Sequence, residues 1–301
     1  MQIVVVGSVA LDSVETCWGK AENALGGSAT FFSLAAARDA QVGLVAVVGE
    51  DLPQSARELL SSKGIDTSGL QVEKGECFRW GGRYHEDMNR RDTLFTHLNV
   101  FEHFHPVLPE SFQDPELLFL ANIHPSLQLE VLEQVKDPRL VAVDTMNLWI
   151  ESSRAELVKV LERCDLVFLN DEEVRLLSGK HSLVESVQVI QGMGPERVVV
   201  KKGEHGALLF DGAQRFALPA VILDRVKDPT GAGDTFAGGF LGHLAGREKL
   251  DHDLLREAMI EGTVLASFAA EDFSVRGLKD LSPAAVQQRR AQLRQLVAWP
   301  K

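Results

Sequence analysis

The chain has 301 residues, 45% of them hydrophobic and 25% charged, a balance that suits one globular α/β domain with at most a small appendage. Its formal net charge of −12 argues against nucleic-acid binding and against docking on an anionic membrane, and no apolar run approaches the length of a membrane span. Cys17, Cys77 and Cys164 lack metal-ligand spacing and read as reduced thiols. Met1 leads straight into an apolar run without a basic stretch, so a cytoplasmic location is expected.

Short β-branched or leucine-rich runs predict strands at 3–7, 42–49, 117–122, 140–144, 166–170, 197–202 and 206–210. Several are apolar on both faces, as in Val4-Val5-Val6 and Val198-Val199-Val200, which suits a parallel sheet covered on both sides. Segments 28–37, 53–63, 127–135, 153–163 and 184–191 read as amphipathic helices. The expected fold is therefore α/β, a doubly wound, mostly parallel sheet with helices on both faces, in a single domain spanning 1–301. Residues 71–104 break the rhythm: they carry Gly81-Gly82 and an alternation through Leu94, Thr96, Leu98 and Val100. With 9–20 they are expected to form a small β-sheet lid. Ligands of such sheets sit beyond the carboxyl ends of the strands, here Gly7, Gly49, Asn122, Asp144, Asn170 and Lys202.

The run Asp228-Pro229-Thr230-Gly231-Ala232-Gly233-Asp234 leads into an apolar helix with Phe236, Phe240 and Leu244 at i, i+4 spacing. Glycines at a helix start present bare N–H groups, and the dipole adds positive potential, so this turn is an anion site. Asp234 beside it reads either as an ordinary helix-start carboxylate or as a base for a substrate hydroxyl, with a pKa lowered by the helix end. Asn170-Asp171-Glu172-Glu173 reads by itself as an N-cap and capping box. No Gly-x-x-x-x-Gly-Lys-Ser/Thr run occurs, and the late glycine turn lacks the third glycine of a dinucleotide fingerprint. His103 and His105, with His97 nearby, form only a weak metal pattern.

Four stretches in order carry a resemblance: Gly26-Gly27-Ser28-Ala29-Thr30, Asn170 to Glu173, Lys202-Gly203-Glu204-His205-Gly206-Ala207, and Asp228 to Asp234. Together they resemble the ribokinase-like (PfkB) carbohydrate kinase family over almost the whole chain. The resemblance implies an ATP- and Mg2+-dependent kinase with Asp234 as base and the amides of Gly231, Ala232 and Gly233 as anion hole. It implies that Asn170 and Glu173 organise Mg2+ through water, that Lys202, Gly203 and Gly206 shape the nucleotide turn, and that Asp12, Gly26 and Gly27 meet the acceptor with Asn122 near them. Asp228 and Thr230 match positions that bind a monovalent cation, K+, in some relatives. A homodimer through the lid is a further implied expectation.

Two departures stand out. The nucleotide turn carries Lys201 and Lys202 where a hydroxyl residue is frequent in the family, and either lysine reads as a phosphate partner or as a solvated strand end. Phe31 occupies a position where many relatives carry asparagine, so a polar acceptor contact is lost and an aromatic one gained. The lid carries Arg79, Arg83, Arg90, Arg91, Trp80 and Tyr84. Two arginines facing the crevice would favour a phosphorylated sugar, and aromatic side chains there a nucleoside. A neutral sugar is the default acceptor, and a non-catalytic sensor the remaining alternative.

Overall fold

Runs of β-branched residues set the frame, because side chains that lose χ1 freedom in a helix pack well on a pleated surface. The computed structural model describes residues 1–298; the last three residues of the expected 1–301 domain lie outside them. In chain order the elements are β1 (Ile3–Val6), β2 (Ala10–Thr16), β3 (Gly19–Gly26), α1 (Ser28–Ala36), β4 (Val42–Gly49), α2 (Gln54–Ser62), β5 (Asp66–Glu73), β6 (Phe78–Tyr84) and β7 (Arg91–His97). There follow β8 (Leu117–Leu120), α3 (Pro125–Leu132), β9 (Leu140–Asp144), α4 (Asn147–Ser152), α5 (Arg154–Leu161), β10 (Leu166–Asn170), α6 (Asp171–Ser178), α7 (Leu183–Gln191) and β11 (Arg197–Lys201). The chain ends with β12 (Ala207–Asp211), β13 (Gln214–Leu218), α8 (Ala232–Leu244), α9 (His252–Ala270), α10 (Arg276–Lys279) and α11 (Pro283–Leu296).

Among the described residues, nine strands form the main sheet in the order β13-β12-β11-β10-β9-β8-β1-β4-β5, parallel except for β12 and β13. Two of these strands escape sequence reading. β5 and β13 are the outermost strands, and their mixed exposure leaves no continuous apolar run to recognise. Residues 71–73 accordingly belong to the main sheet and not to the lid.

The second sheet, β3-β2-β6-β7, is the lid. Its β3 extends to Gly26, past the expected limit at residue 20, and delivers the chain directly into α1. Leu98 and Val100 do not continue the alternation of β7. The chain turns at Asn99 (φ 50°) into a 3-10 helix, Asn99–His103, and Val100 and Phe101 pack against the main core.

Period two sends alternate residues of each strand to opposite layers. Ala142, Phe168 and Val199 face the layer that holds α1, α8 and α9, whereas Val141, Val143, Val198 and Val200 face the other. Asp144 and Lys201 each stand two residues beyond a member of the first layer, so they emerge under the start of α8. That helix packs hard against α1: a Cβ on Gly238 would lie 2.3 Å from the carbonyl oxygen of Phe32. Phe168 holds the same face, meeting Phe119, Phe236 and Phe240 edge-on at 6.1, 6.2 and 5.4 Å between ring centroids.

Phe168→Ala removes this junction and is expected to destabilise the fold by about 3–5 kcal/mol. The loss would be read as a lower urea midpoint at unchanged slope.

Candidate active site

Gly231 adopts φ 75°, and a Cβ there would sit 2.3 Å from the Phe31 ring. Both constraints demand glycine. Phe31, expected to meet the acceptor with an open face, is 1% exposed and acts mainly as the floor under this turn. α8 then starts at Ala232, with Asp234 in its first turn. The N–H groups of Gly231 and Gly233 find no protein acceptor among the described residues. The Ala232 N–H, expected in the same anion hole, instead donates to the Pro229 carbonyl at 3.2 Å.

Asp234 departs from the expected lowering of its pKa. Burial, reinforced by the charge of Asp144, pushes it up to about 6, against the opposing pull of Lys201. Desolvation outweighs the helix end because the surrounding fold displaces much of the water around this partly buried carboxylate. Asp144, 4% exposed, closes β9 and accepts a hydrogen bond from Lys201 Nζ at 2.7 Å. The same ammonium lies 3.1 Å from the point where a Cβ on Gly233 would stand, so it reaches the anion turn from below. Glu173 completes the charge cluster. Asn170 Oδ1 accepts from the N–H groups of Glu172 and Glu173 at 2.9 and 2.8 Å, and Glu173 Oε2 accepts from the Asn170 N–H at 2.7 Å. This is a complete capping box. Burial raises Glu173 to about 7, with Lys201 opposing and Asp144 adding to the rise.

On the lid side, within the charge field of Asp234, stands Asp12, 8% exposed. Burial lifts it to about 7, the Gly27 N–H opposes, and the charges of Asp228 and Asp234 add to the rise. Gly26 leaves it room, since a Cβ there would lie 2.0 Å from Asp12 Oδ2. Gly27, at φ 94°, turns the chain into α1. On the lid, Trp80 is the cross-strand partner of Asp12. Its indole packs against Gly82, where a Cβ would come within 2.2 Å of the ring, and the Arg91 guanidinium stands over the ring, 5.6 Å from its centroid. Tyr84, the single tyrosine, accepts a hydrogen bond from Thr230 Oγ1 at 3.2 Å. The lid tip also reaches the far side, where Asn89 Nδ2 donates to Glu204 Oε1 at 3.3 Å. The space enclosed beside Asp12, walled by Val14, Ala24, Leu25 and Phe31, is little larger than a water.

Other expected residues stand apart from this cluster. The Asn122 amide is engaged by Trp149 Nε1 at 3.0 Å and by Met146 Sδ at 3.3 Å. Lys202 leads into the turn at Gly203 (φ 53°) and Gly206 (φ 89°), and no ion pair of Lys202 occurs among the described residues. Asp228, 1% exposed, accepts one N–H on each oxygen, from Thr230 at 2.9 Å and Ser274 at 3.2 Å. Of the lid arginines, Arg79 pairs with Asp51 at 2.6 Å, Arg83 with Glu15 at 3.1 Å and Arg90 with Asp87 at 2.8 Å. Arg91 alone of the four has no ion pair among the described residues and stands over the Trp80 ring. No cluster of three metal-binding side chains occurs among the described residues, His97, His103 and His105 included.

The family profile of PfkB carbohydrate kinases matches residues 2–278. The chain belongs to the PfkB family. It is 32% identical to the cytidine kinase of Thermococcus kodakarensis over 255 residues, covering 82% of this chain and 90% of that one. It is 25% identical over 230 residues to the nucleoside kinase of Methanocaldococcus jannaschii, covering 76% and 72%. The solved M. jannaschii enzyme shares the fold at TM-score 0.77 and 21% identity, covering 97% of this chain and 99% of that one. The adenosine kinase of Sinorhizobium meliloti does so at 0.79 and 17%, covering 96% and 99%. This PfkB protein is accordingly a phosphotransferase with a hydroxyl acceptor, built on the ribokinase-like fold. No helix among its described residues is long and apolar enough to cross a membrane.

Sequence reasoning placed the turn, the capping box and Asp12; it named Asp144 only as a strand end and left Lys201 and Lys202 as equal candidates to pair with phosphate. Their signal was faint: each ends an apolar strand whose two faces look alike.

Glu173 is held at about 7 against an ordinary 4.5, so the folded state binds its proton more tightly than the unfolded one. Its protonation stabilises the fold fully below the ordinary value, and that contribution is lost as pH rises through about 7. Without nucleotide, the melting temperature should therefore fall between pH 5 and 8, and Glu173→Gln should flatten the fall, as thermal melts at several pH values would show.

Proposed function

We propose that this kinase transfers the γ-phosphoryl group of ATP to a ribose hydroxyl of a nucleoside. The observation that carries the acceptor is Trp80, an indole packed against Gly82 and paired across the strands with Asp12. A sugar held by Asp12 would place its base toward this ring, where stacking rewards a flat heterocycle. Arg91, whose guanidinium stands 5.6 Å from the ring centroid, would be displaced or slide to the edge of the base. The cytidine and nucleoside kinases among the relatives support the same choice. The phosphosugar alternative has one candidate cation, Arg91, where it calls for two. A free sugar is the second reading, supported by the tightness of the space beside Asp12. In either case the lid opens to admit the acceptor.

In this reading the acceptor hydroxyl gives its proton to Asp234 as the bond to phosphorus forms. The raised pKa makes Asp234 a stronger base than a helix-start carboxylate in water. The Gly231 and Gly233 amides and the start of α8 receive the charge of the transferring group. The nucleotide lies along the Gly203 to Gly206 turn, on which Asn89 of the lid already rests.

Asp144, Glu173 and Asp234 outnumber Lys201, so the region has room for added positive charge. Three side chains do not converge as a ready-made metal site, which suits a cation carried in by ATP and held through water by Glu173. Mg2+ with ATP occupies an Escherichia coli structure of this fold, and the chemistry it supplies is neutralisation of the phosphate oxygens. Potassium, present in the solved Vibrio cholerae fructokinase, is proposed near Asp228 and Thr230. The free lid edges β3 and β7 suit pairing with a second copy.

A panel of cytidine, adenosine, inosine, ribose and fructose with ATP and Mg2+, scored by ADP release, tests the acceptor. Nucleosides should exceed the free sugars in kcat/KM by tenfold or more, and Trp80→Ala should remove most of that preference; a fructose or ribose preference would favour the second reading. Asp234→Asn should lower kcat by about 10²–10⁴-fold with nucleotide affinity unchanged. The acid limb of kcat/KM should fall below a pH of about 6, where Asp234 gains its proton.

A further inference from the structure

We propose that Lys201 is a catalytic residue of this kinase, its ammonium donating to the γ-phosphoryl oxygens during transfer, and that Asp144 is the positioning residue that aims it. The bland alternative is a buried ion pair that only joins β9 to β11, and the geometry argues against it.

First, the pair is not self-sufficient. Lys201 Nζ carries three N–H donors; one goes to Asp144 Oδ2 at 2.7 Å, and the others find no protein acceptor among the described residues. Second, the open side of the ammonium faces the anion turn. Its nitrogen lies 3.1 Å from the position of a Gly233 Cβ, so any larger residue at 233 would crowd it. Third, the pair stands at the strand ends, on the layer that supports α8, and not within the sheet where a structural tie would hold more. Replacing a buried pair by apolar residues costs little stability in general, so a charge kept under the phosphate turn calls for a functional account.

In the step itself, the bond from the γ-phosphorus to the bridging oxygen breaks, and its electron pair leaves with ADP. The acceptor oxygen bonds to phosphorus and its proton goes to Asp234. Lys201 remains protonated throughout and balances charge on the moving phosphoryl group. Asp144 keeps the ammonium charged and fixed before ATP arrives, which preorganises the site.

The inference rests on the phosphoryl-transfer chemistry of the family and holds for either acceptor. Lys201→Met should lower kcat by about 10²-fold or more, with the KM for ATP within about threefold. Its affinity for ADP should match wild type, whereas binding of ADP with magnesium and aluminium fluoride should weaken at least tenfold. That titration needs no acceptor, so failure to find an acceptor and failure of Lys201 remain distinct results. Because Lys201→Met leaves Asp144 buried and unpaired, the double variant Asp144→Asn with Lys201→Met is the control. The double variant should regain the melting temperature lost by the single one and still lack turnover. Recovery of turnover in the double variant would show a purely structural pair. A single variant within threefold of wild-type kcat would also overturn the proposal, as would a loss confined to KM.

Discussion

Three carboxylates and one lysine, two of them buried and two partly buried, lie in one another's charge field, and the rest of the structure serves to keep them there. Asp144 ends β9, Glu173 lies in the first turn of α6 and Asp234 in the first turn of α8, around Lys201 at the end of β11. Like charges so close together repel, and burial makes each one costlier. They are tolerated because each is tied by its own element. Glu173 is locked in a capping box, Asp144 is paired, and Asp234 rides on a helix that cannot move. The strain that remains favours a bound cation and phosphate.

The immobility of α8 comes from close contact and not from polar bonds. Its glycines let the backbone of α1 approach to within side-chain distance, and the Phe168, Phe236 and Phe240 rings fill the space toward the sheet. Gly231 sits directly on Phe31, so the anion turn inherits the rigidity of the core beneath it. The lid is anchored differently. Arg79 reaches Asp51, Tyr84 meets Thr230, and Asn89 meets Glu204. These are single polar contacts, each small and breakable in water. A rigid phosphate side therefore faces a lid that can let an acceptor in. This division suits a kinase that must exclude water from a fixed base.

What could be read from the chain was local. The turn at Gly231 to Gly233, the Asn170 to Glu173 cap and the parallel strands declared themselves, because backbone conformation and capping depend on residues a few positions apart. The edge strands β5 and β13 did not, since a strand with one partner needs only weak apolar patterning. Leu98 and Val100 kept the alternation of a strand, yet Val100 was drawn into the core through a turn at Asn99.

The sequence by itself determined that a phosphoryl group moves to a hydroxyl, because that chemistry is written in contiguous motifs. Only the tertiary structure decided between Lys201 and Lys202, as strand parity chooses which lysine faces α8 when both faces of the sheet are apolar. It alone raised Asp234 to about 6, because desolvation depends on what folds over the carboxylate. It also laid Trp80 on Gly82 beside Asp12. Those two aromatic and acidic groups are far apart in the chain, and only strand pairing brings them to the same face.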